Sequence, residues 1–108
     1  MNQRMHTVVE TTMWQKSTAA IWSEDERDEF VDFISRRPKA GDVIPGTRAL
    51  RKVRWQRKGI GKRGGIRIIY FMQNERSQVV LLMAYAKAKF DNLPIDYLNT
   101  LKEKYFDQ

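Results

Sequence analysis

Two apolar segments joined by a short polar connection constrain the fold more than any other part of the sequence. The segments IRIIYFM (residues 66–72) and VVLLMAYA (residues 79–86) are apolar on both faces of an extended chain, which is typical of central strands. Residues 74–78 form a tight connection, so the two strands pair as a hairpin. The sequence therefore predicts a buried β-hairpin at the centre of a sheet.

A further strand is predicted at residues 49–57, and a glycine-rich turn at residues 58–65 joins it to this hairpin. Residues 41–47, GDVIPGT, are predicted to be a loop, because glycine and proline interrupt them. Alternation divides the side chains of the strand between two faces, with Leu50, Lys52 and Arg54 on one and Arg51, Val53 and Trp55 on the other.

The N-terminal third predicts one strand and two helices. The β-branched residues between His6 and Thr12 favour a short strand, and the apolar spacing of residues 12–22 is helical. Ser23 followed by Glu26 is a capping box that starts a second helix, which ends before Pro38. The residues predicted to face the core from these helices are Trp14, Thr18, Ile21, Trp22, Phe30, Phe33 and Ile34.

A final helix is predicted to start at Asn92, with Pro94 early in it. Its buried face is predicted to consist of Ile95, Leu98, Leu101 and Tyr105. The predicted order is therefore β-α-α-β-β-β-α. Residues 1–108 are expected to form a single α+β domain, in which a small, mainly antiparallel sheet has helices packed on one side.

Composition excludes several classes of site. The chain has no cysteine, so disulfides and thiolate metal sites are excluded, and its one histidine, His6, cannot form a multi-histidine metal site. We therefore expect no metal and no cofactor. No apolar run approaches the roughly 18 residues of a membrane span, and the N-terminus lacks the apolar region of a signal peptide. A cytoplasmic protein without a membrane partner is predicted.

Positive charge is concentrated in one segment of the chain, which has a formal net charge of +7. Between Asp42 and Glu75 there is no acidic residue, and such a one-signed block favours a polyanion partner. RNA, DNA and an acidic protein all remain open as partners. Nine of the twenty Lys and Arg residues lie in this segment: Arg48, Arg51, Lys52, Arg54, Arg57, Lys58, Lys62, Arg63 and Arg67.

The predicted hairpin brings some of these cations together. A turn near Arg76 places Arg67 opposite Tyr85, with Lys87 one step further on the same face. Together with Lys52 and Arg54, these residues could cleave RNA through its own 2′-hydroxyl. Arginine suits phosphate oxygens, a lysine crowded by cations can act as a base, and a tyrosine can stack on a nucleobase or relay a proton. No His, Asp or Glu is expected in this patch, so substrate positioning would have to supply much of the rate.

Structural explanations exist for the same residues. Basic side chains on an exposed strand can form a passive anion-binding surface, and Tyr85 can lie at the edge of the core. Trp55 can be a core residue or stack on a nucleobase. Glycines 61, 64 and 65 can serve a turn or contact a phosphate.

The segments GDVIPGTRALRKVRWQRKGIGKRGGIRIIYFM and LLMAYAKAKFDNL resemble the RelE/HigB superfamily of bacterial toxins, most closely its HigB-like branch. The resemblance spans residues 7–101 and agrees with the predicted element order. It implies an endoribonuclease that enters the ribosomal A site of the 70S ribosome and cuts mRNA without a metal. It also implies neutralisation by a cognate antitoxin and binding of operator DNA only through the toxin–antitoxin complex.

The charge pattern and the resemblance together give the candidate residues. The catalytic candidates are Lys52, Arg54, Arg67, Tyr85 and Lys87. The candidates for binding RNA or the ribosome are Arg48, Arg51, Arg57, Lys58, Lys62, Arg63 and Lys89. Two alternatives of other classes stay open: a toxin of the related ParE branch, which inhibits DNA gyrase by binding, and a plain nucleic-acid-binding module.

Overall fold

The computed structural model describes residues 5–47, 49–56, 65–86 and 93–106. Within these ranges the chain forms five strands and three helices, which confirms the predicted α+β class. None of the described helices has the length and apolarity needed to cross a membrane. The elements are β1 (Thr7–Glu10), α1 (Thr12–Ala19), α2 (Glu24–Arg36), β2 (Asp42–Val43), β3 (Arg51–Trp55), β4 (Ile66–Gln73), β5 (Gln78–Ala86) and α3 (Ile95–Phe106).

The strands form one sheet in the order β1-β5-β4-β3-β2. The β4–β5 hairpin lies at its centre, as predicted, and β4 is apolar along most of its length because neighbours flank it on both sides. Every pairing is antiparallel except that of β1 with β5, so the prediction of a mainly antiparallel sheet is confirmed.

Strand β2 corrects the prediction of a loop at residues 41–47. Asp42 pairs with Lys52 and Val43 with Arg51, which adds a strand that the predicted order lacks. The two residues are both exposed, so they show none of the apolar alternation by which a strand is predicted. Their backbone pairing with β3 alone defines the strand.

The helices pack on both faces of the sheet. Trp14 of α1 and Phe30 of α2 belong to a cluster with Ile68 of β4, whereas Leu98 of α3 clusters with Phe71 of the same strand. Neighbouring residues of a strand point to opposite faces, in agreement with the two clusters. The prediction of helices on one side is therefore correct for α1 and α2 and wrong for α3. We refer to the two surfaces as the α1–α2 face and the α3 face.

Helix α1 completes the hydrogen bonding of β5. Strand β1 pairs with β5 only as far as Leu81. At that point the Thr11 hydroxyl donates to the Leu81 carbonyl at 2.8 Å, and the Ser17 hydroxyl accepts from the Ala84 N–H at 3.0 Å. Thr11 also caps α1 by accepting from the Trp14 N–H. These side chains fix the end of β5, next to Tyr85.

Helix α2 starts as predicted, with the Ser23 hydroxyl accepting from the Glu26 N–H at 3.2 Å. Three acidic residues in its first turn complement the helix dipole. Phe30 and Ile34 are fully buried, and Phe33 is partly buried against the same cluster. The predicted core face of α2 is therefore confirmed.

Two side chains of helix α3 donate hydrogen bonds to the turn that follows β2. The Asn99 side-chain amide donates to the Gly46 carbonyl at 3.1 Å, and the Lys102 ammonium donates to the Thr47 carbonyl at 3.2 Å. Leu98 and Leu101 are buried as predicted. Ile95, predicted to be buried, is 39% exposed, because it lies in the first turn of α3, beside an open groove.

The β4–β5 hairpin contains one register shift, between Ile69 and Tyr70. Ile69 pairs with Met83 and Tyr70 with Leu81, so Leu82 is passed over in the pairing. An extra residue of this kind is a β-bulge, which turns the side chains beyond it to the other face. Beyond the bulge, the predicted pairing of Arg67 with Tyr85 is confirmed.

A buried tyrosine anchors the segment before β2. The Tyr70 hydroxyl donates to the Pro38 carbonyl and accepts from the Gly41 N–H, both at 2.8 Å. Arg51 donates to the Gly41 carbonyl at 2.6 Å. A Cβ atom at Gly41 would lie 2.8 Å from the Lys52 carbonyl oxygen, so only glycine allows this close approach. The anchor fixes the position at which Asp42 begins β2.

We expect Tyr70→Phe to lower the free energy of unfolding by about 1–3 kcal/mol, because a buried donor and a buried acceptor lose their partner. Urea unfolding of the purified protein measures this difference. The matched control is Tyr97→Phe, since Tyr97 is 41% exposed on α3, and its effect should stay within about 0.5 kcal/mol. Equal losses in the two variants would contradict the anchoring role of Tyr70.

Candidate functional site

Three predicted site residues form a straight row across the sheet. Arg54 of β3 lies directly opposite Arg67 of β4, which in turn lies directly opposite Tyr85 of β5. Residues directly opposite each other share a face, and Tyr85 belongs to the cluster on the α3 face. The Arg54–Arg67–Tyr85 row therefore lies on the α3 face, at the end of the sheet where β4 begins and β5 ends.

Two members of the row are held inside the protein. Arg67 is 8% exposed and Tyr85 is 4% exposed, whereas Arg54 is exposed to solvent. A Cβ atom at Gly65 would lie 2.6 Å from a guanidinium nitrogen of Arg67. The Arg67 side chain therefore runs over Gly65, where the absence of a side chain leaves room for it.

Burial raises the pKa of Tyr85 above the ordinary tyrosine value, and the positive charge of Arg67 acts in the opposite direction. The net shift is upward. Tyr85 is therefore a neutral phenol at neutral pH. A neutral phenol can donate a hydrogen bond or a proton, but it is not a base.

Among the residues that the structure describes, no carboxylate forms an ion pair with either arginine of the row. Like charges directly opposite each other on neighbouring strands are destabilising. Ion pairs join Arg27 to Glu10 and Glu24, and Arg36 to Asp32, and these pairs lie elsewhere. An anion between Arg54 and Arg67 would relieve the repulsion, and the guanidinium fork matches phosphate oxygens.

A second row runs parallel to the first, two residues along the strands. It consists of Asp42, Lys52, Ile69 and Met83, which pair in that order across β2, β3, β4 and β5. Members of both rows line a groove of about 1050 Å³. Lys52, Arg54 and Tyr85 line its polar part. The apolar part of the groove is lined by Ile44, Pro45, Leu93, Pro94, Ile95 and Leu98.

Asp42 corrects the expectation that no His, Asp or Glu lies in the patch. It lines the groove and shares a face with Lys52, its direct partner on β3. The carboxylate is ten positions from Lys52 in the sequence, and only the short strand β2 brings the two together. The sequence does contain a signal for strand β2, because Val43 and Ile44 are β-branched residues between two glycine-containing turns.

The structure places Lys52, Arg54 and Tyr85 along the groove. Arg67 lies between Arg54 and Tyr85 in the sheet and does not itself line the groove. Arg51 lies on the opposite face of β3, as alternation predicted, where its guanidinium donates to Gly41. The remaining predicted site residues lie outside the described ranges: Arg48, Arg57, Lys58, Lys62, Arg63, Lys87 and Lys89.

Trp55 belongs to the core and not to the groove. Its ring lies 5.2 Å from the ring of Phe30 and 5.3 Å from that of Phe33, measured between centroids. Of the two interpretations of Trp55, the structure therefore supports the core residue. Among the described residues, no three His, Asp or Glu side chains are grouped as metal ligands.

The fold is similar to that of solved toxin structures. The free-state structure of a mutant E. coli RelE toxin aligns with 92% of this chain and 97% of its own, with a TM-score of 0.63 and 13% sequence identity. A chain of the RelBE2 toxin–antitoxin complex from Mycobacterium tuberculosis aligns over 81% of this chain and 97% of its own, with a TM-score of 0.55 and 21% identity. No protein-family model matches the sequence. The chain therefore has a RelE-like fold.

We expect Tyr85 to titrate above the ordinary value of 10.0, because burial penalises the phenolate. Arg67→Met removes the cation but keeps a long side chain, so it should raise the pKa of Tyr85 further. Ultraviolet titration of phenolate absorbance measures both values, and Tyr85→Phe assigns the signal. A Tyr85 pKa below the ordinary value would show that burial is not the main influence on this pKa. A lower Tyr85 pKa in the Arg67→Met variant than in the native protein would show that the Arg67 charge does not lower it.

Proposed function

We propose that this protein is the toxin of a bacterial toxin–antitoxin pair and a metal-independent endoribonuclease that cuts mRNA on the ribosome. The observation that carries the proposal is the Arg54–Arg67–Tyr85 row, in which two opposed guanidinium groups stand beside a neutral tyrosine. The RelE-like fold and the sequence resemblance to the HigB-like branch support the same conclusion.

The row suits cleavage of RNA through its 2′-oxygen. The 2′-oxygen attacks the neighbouring phosphorus, a 2′,3′-cyclic phosphate forms, and the bond to the 5′-oxygen of the next nucleotide breaks. Arg54 and Arg67 bind the phosphate and stabilise the negative charge that accumulates on it during attack. Tyr85, held neutral by burial, supplies a proton to the departing 5′-oxygen. A lysine crowded by these cations accepts the 2′-hydroxyl proton, with Lys52 and Lys87 as the two candidates.

The ribosome would supply the mRNA positioning that offsets weak acid–base catalysis at this site. The described part of the groove has no histidine, so acid–base catalysis is weak and in-line positioning of the mRNA must contribute much of the rate. The A site would hold the codon in place while ribosomal RNA binds the cations outside the row. This division of roles makes cleavage dependent on the 70S ribosome and places the protein in the cytoplasm.

A cognate antitoxin is the expected protein partner. One of the similar structures is a toxin–antitoxin complex, which supports such a partner for this chain. The antitoxin would neutralise the toxin, and operator DNA would bind only to the complex of the two proteins.

We expect Arg67→Gln to reduce mRNA cleavage by about 100-fold or more, because a buried charge donor to the reacting phosphate is lost. The assay is reconstituted translation with and without ribosomes, in which primer extension locates the 5′ ends of cut mRNA. Arg76→Gln is the matched control, since it removes one exposed cation at the opposite end of the same hairpin. Cleavage by Arg67→Gln at the rate of Arg76→Gln would exclude Arg67 from catalysis.

The same assay tests the proposed function as a whole. Cuts that appear only with ribosomes, inside codons at the A site, would establish the ribosome-dependent nuclease. If the native protein makes no cuts in either condition, the nuclease proposal fails. A DNA gyrase supercoiling assay would then distinguish a ParE-like inhibitor from a plain nucleic-acid-binding module.

We expect Arg54→Gln to flatten the salt dependence of RNA binding, because one phosphate contact is lost. For single-stranded RNA, the logarithmic slope should fall in magnitude by about 0.7. Fluorescence anisotropy with an uncleavable 2′-O-methyl RNA measures the slope over a series of salt concentrations. Arg76→Gln is again the control, and equal slopes in the two variants would argue against phosphate binding by Arg54.

A further inference from the structure

A carboxylate stands in the otherwise cationic part of the groove. Asp42 lies directly opposite Lys52, and Arg54 follows Lys52 on the same face two residues further along β3. An Asp side chain repels RNA phosphates, so its presence here opposes binding of the RNA backbone at this point. It favours instead a ligand group that donates hydrogen bonds.

The groove beside Asp42 changes from polar to apolar. Ile44 and Pro45 follow Asp42 in the chain and line the same groove, with Leu93 and Ile95 on the side of α3. A Cβ atom at Gly46 would lie 3.4 Å from a methyl carbon of Ile95, so the wall is continuous between the turn and the helix. Apolar walls with a few placed polar groups are typical of sites for ring-shaped ligands.

Strand geometry sets the distance between Asp42 and the Arg54–Arg67–Tyr85 row. Two residues along a strand advance the chain by about 6.6 Å, and neighbouring strands lie about 4.8 Å apart. The Cα atoms of Asp42 and Arg54 are therefore separated by roughly 8 Å. This separation suits a nucleotide whose phosphate binds Arg54 and whose base turns towards Asp42.

We propose that the Asp42 end of the groove binds one nucleobase of the RNA and that it selects guanine, an inference that rests on the proposed function. The two oxygens of a carboxylate accept two adjacent donors. On the Watson–Crick edge only guanine offers two adjacent donor groups, N1–H and the N2 amino group, whereas adenine, cytosine and uracil each offer one. Ile44, Pro45 and Ile95 contact the faces of the base.

The first test measures binding without cleavage. Uncleavable 2′-O-methyl trinucleotides AGA, AIA and AUA differ only in the central base, and inosine lacks only the amino group of guanosine. The native protein should bind AGA roughly ten-fold more tightly than AUA, with AIA between them. Asp42→Asn should abolish this order, whereas Asp28→Asn, an exposed aspartate of α2, should preserve it. Equal binding of the three probes by the native protein would overturn the proposal.

The site of binding is read from NMR signals of the Ile44 and Ile95 methyl groups. AGA should shift both sets of signals in the native protein. If AGA binds and leaves both unchanged, the base lies elsewhere and the apolar wall belongs to a protein partner, which overturns the proposal.

The second test maps cut sites in reconstituted translation. The native protein should favour guanine at one fixed position of the cut codon, and Asp42→Asn should lose that preference, with Asp28→Asn as control. Loss of all cleavage by Asp42→Asn, with preferential binding of AGA retained, would assign the carboxylate to the chemistry and overturn base selection. If the native protein makes no cuts, the nuclease function fails and the binding test still decides the nucleobase site.

Discussion

The β-bulge in the β4–β5 hairpin decides which side chains meet at the groove. At the turn, Gln73 pairs with Gln78. If this register continued unchanged along both strands, Arg67 would lie opposite Ala84, and Tyr85 would point to the α1–α2 face. The extra residue on β5 turns Tyr85 to the α3 face and places it opposite Arg67. The hydrogen bond that Thr11 donates to Leu81 and the one that Ser17 accepts from Ala84 flank the bulge. A short helix on the opposite face thus helps to hold the geometry of the row.

The sequence predicted the local features that depend on neighbouring residues. The hairpin, the cap at Ser23 and the two faces of β3 all follow from spacing. The predicted pairing of Arg67 with Tyr85 is correct only because the bulge offsets a one-residue error in the predicted register of the turn. The bulge and the side of the sheet on which α3 packs could not be predicted, because both depend on contacts between distant segments. Asp42 was missed for the same reason, since β2 exists only through backbone pairing with β3.

Acidic and basic residues are distributed unevenly over the two faces of the sheet. Three acidic residues start α2, on the α1–α2 face, and the ion pairs of the described ranges lie on that side with Arg27 and Arg36. The α3 face holds Lys52, Arg54 and Arg67, with Asp42 at its edge. A polyanion is therefore attracted to one face and repelled from the acidic helix on the other. Under the proposed function, this charge distribution would orient the RNA before any specific contact forms.

Burial distinguishes the row from a passive anion-binding surface. A surface that only attracts RNA needs exposed cations, which cost little because water solvates them. Arg67 is instead buried against a buried tyrosine and opposite a second arginine, so folding carries the cost of desolvation and of repulsion. Negative charge placed between the guanidinium groups would offset that cost. The stabilisation is largest when the negative charge between the guanidinium groups is greatest, as it is on a phosphate under attack. The arrangement therefore favours the proposed catalytic role over simple binding.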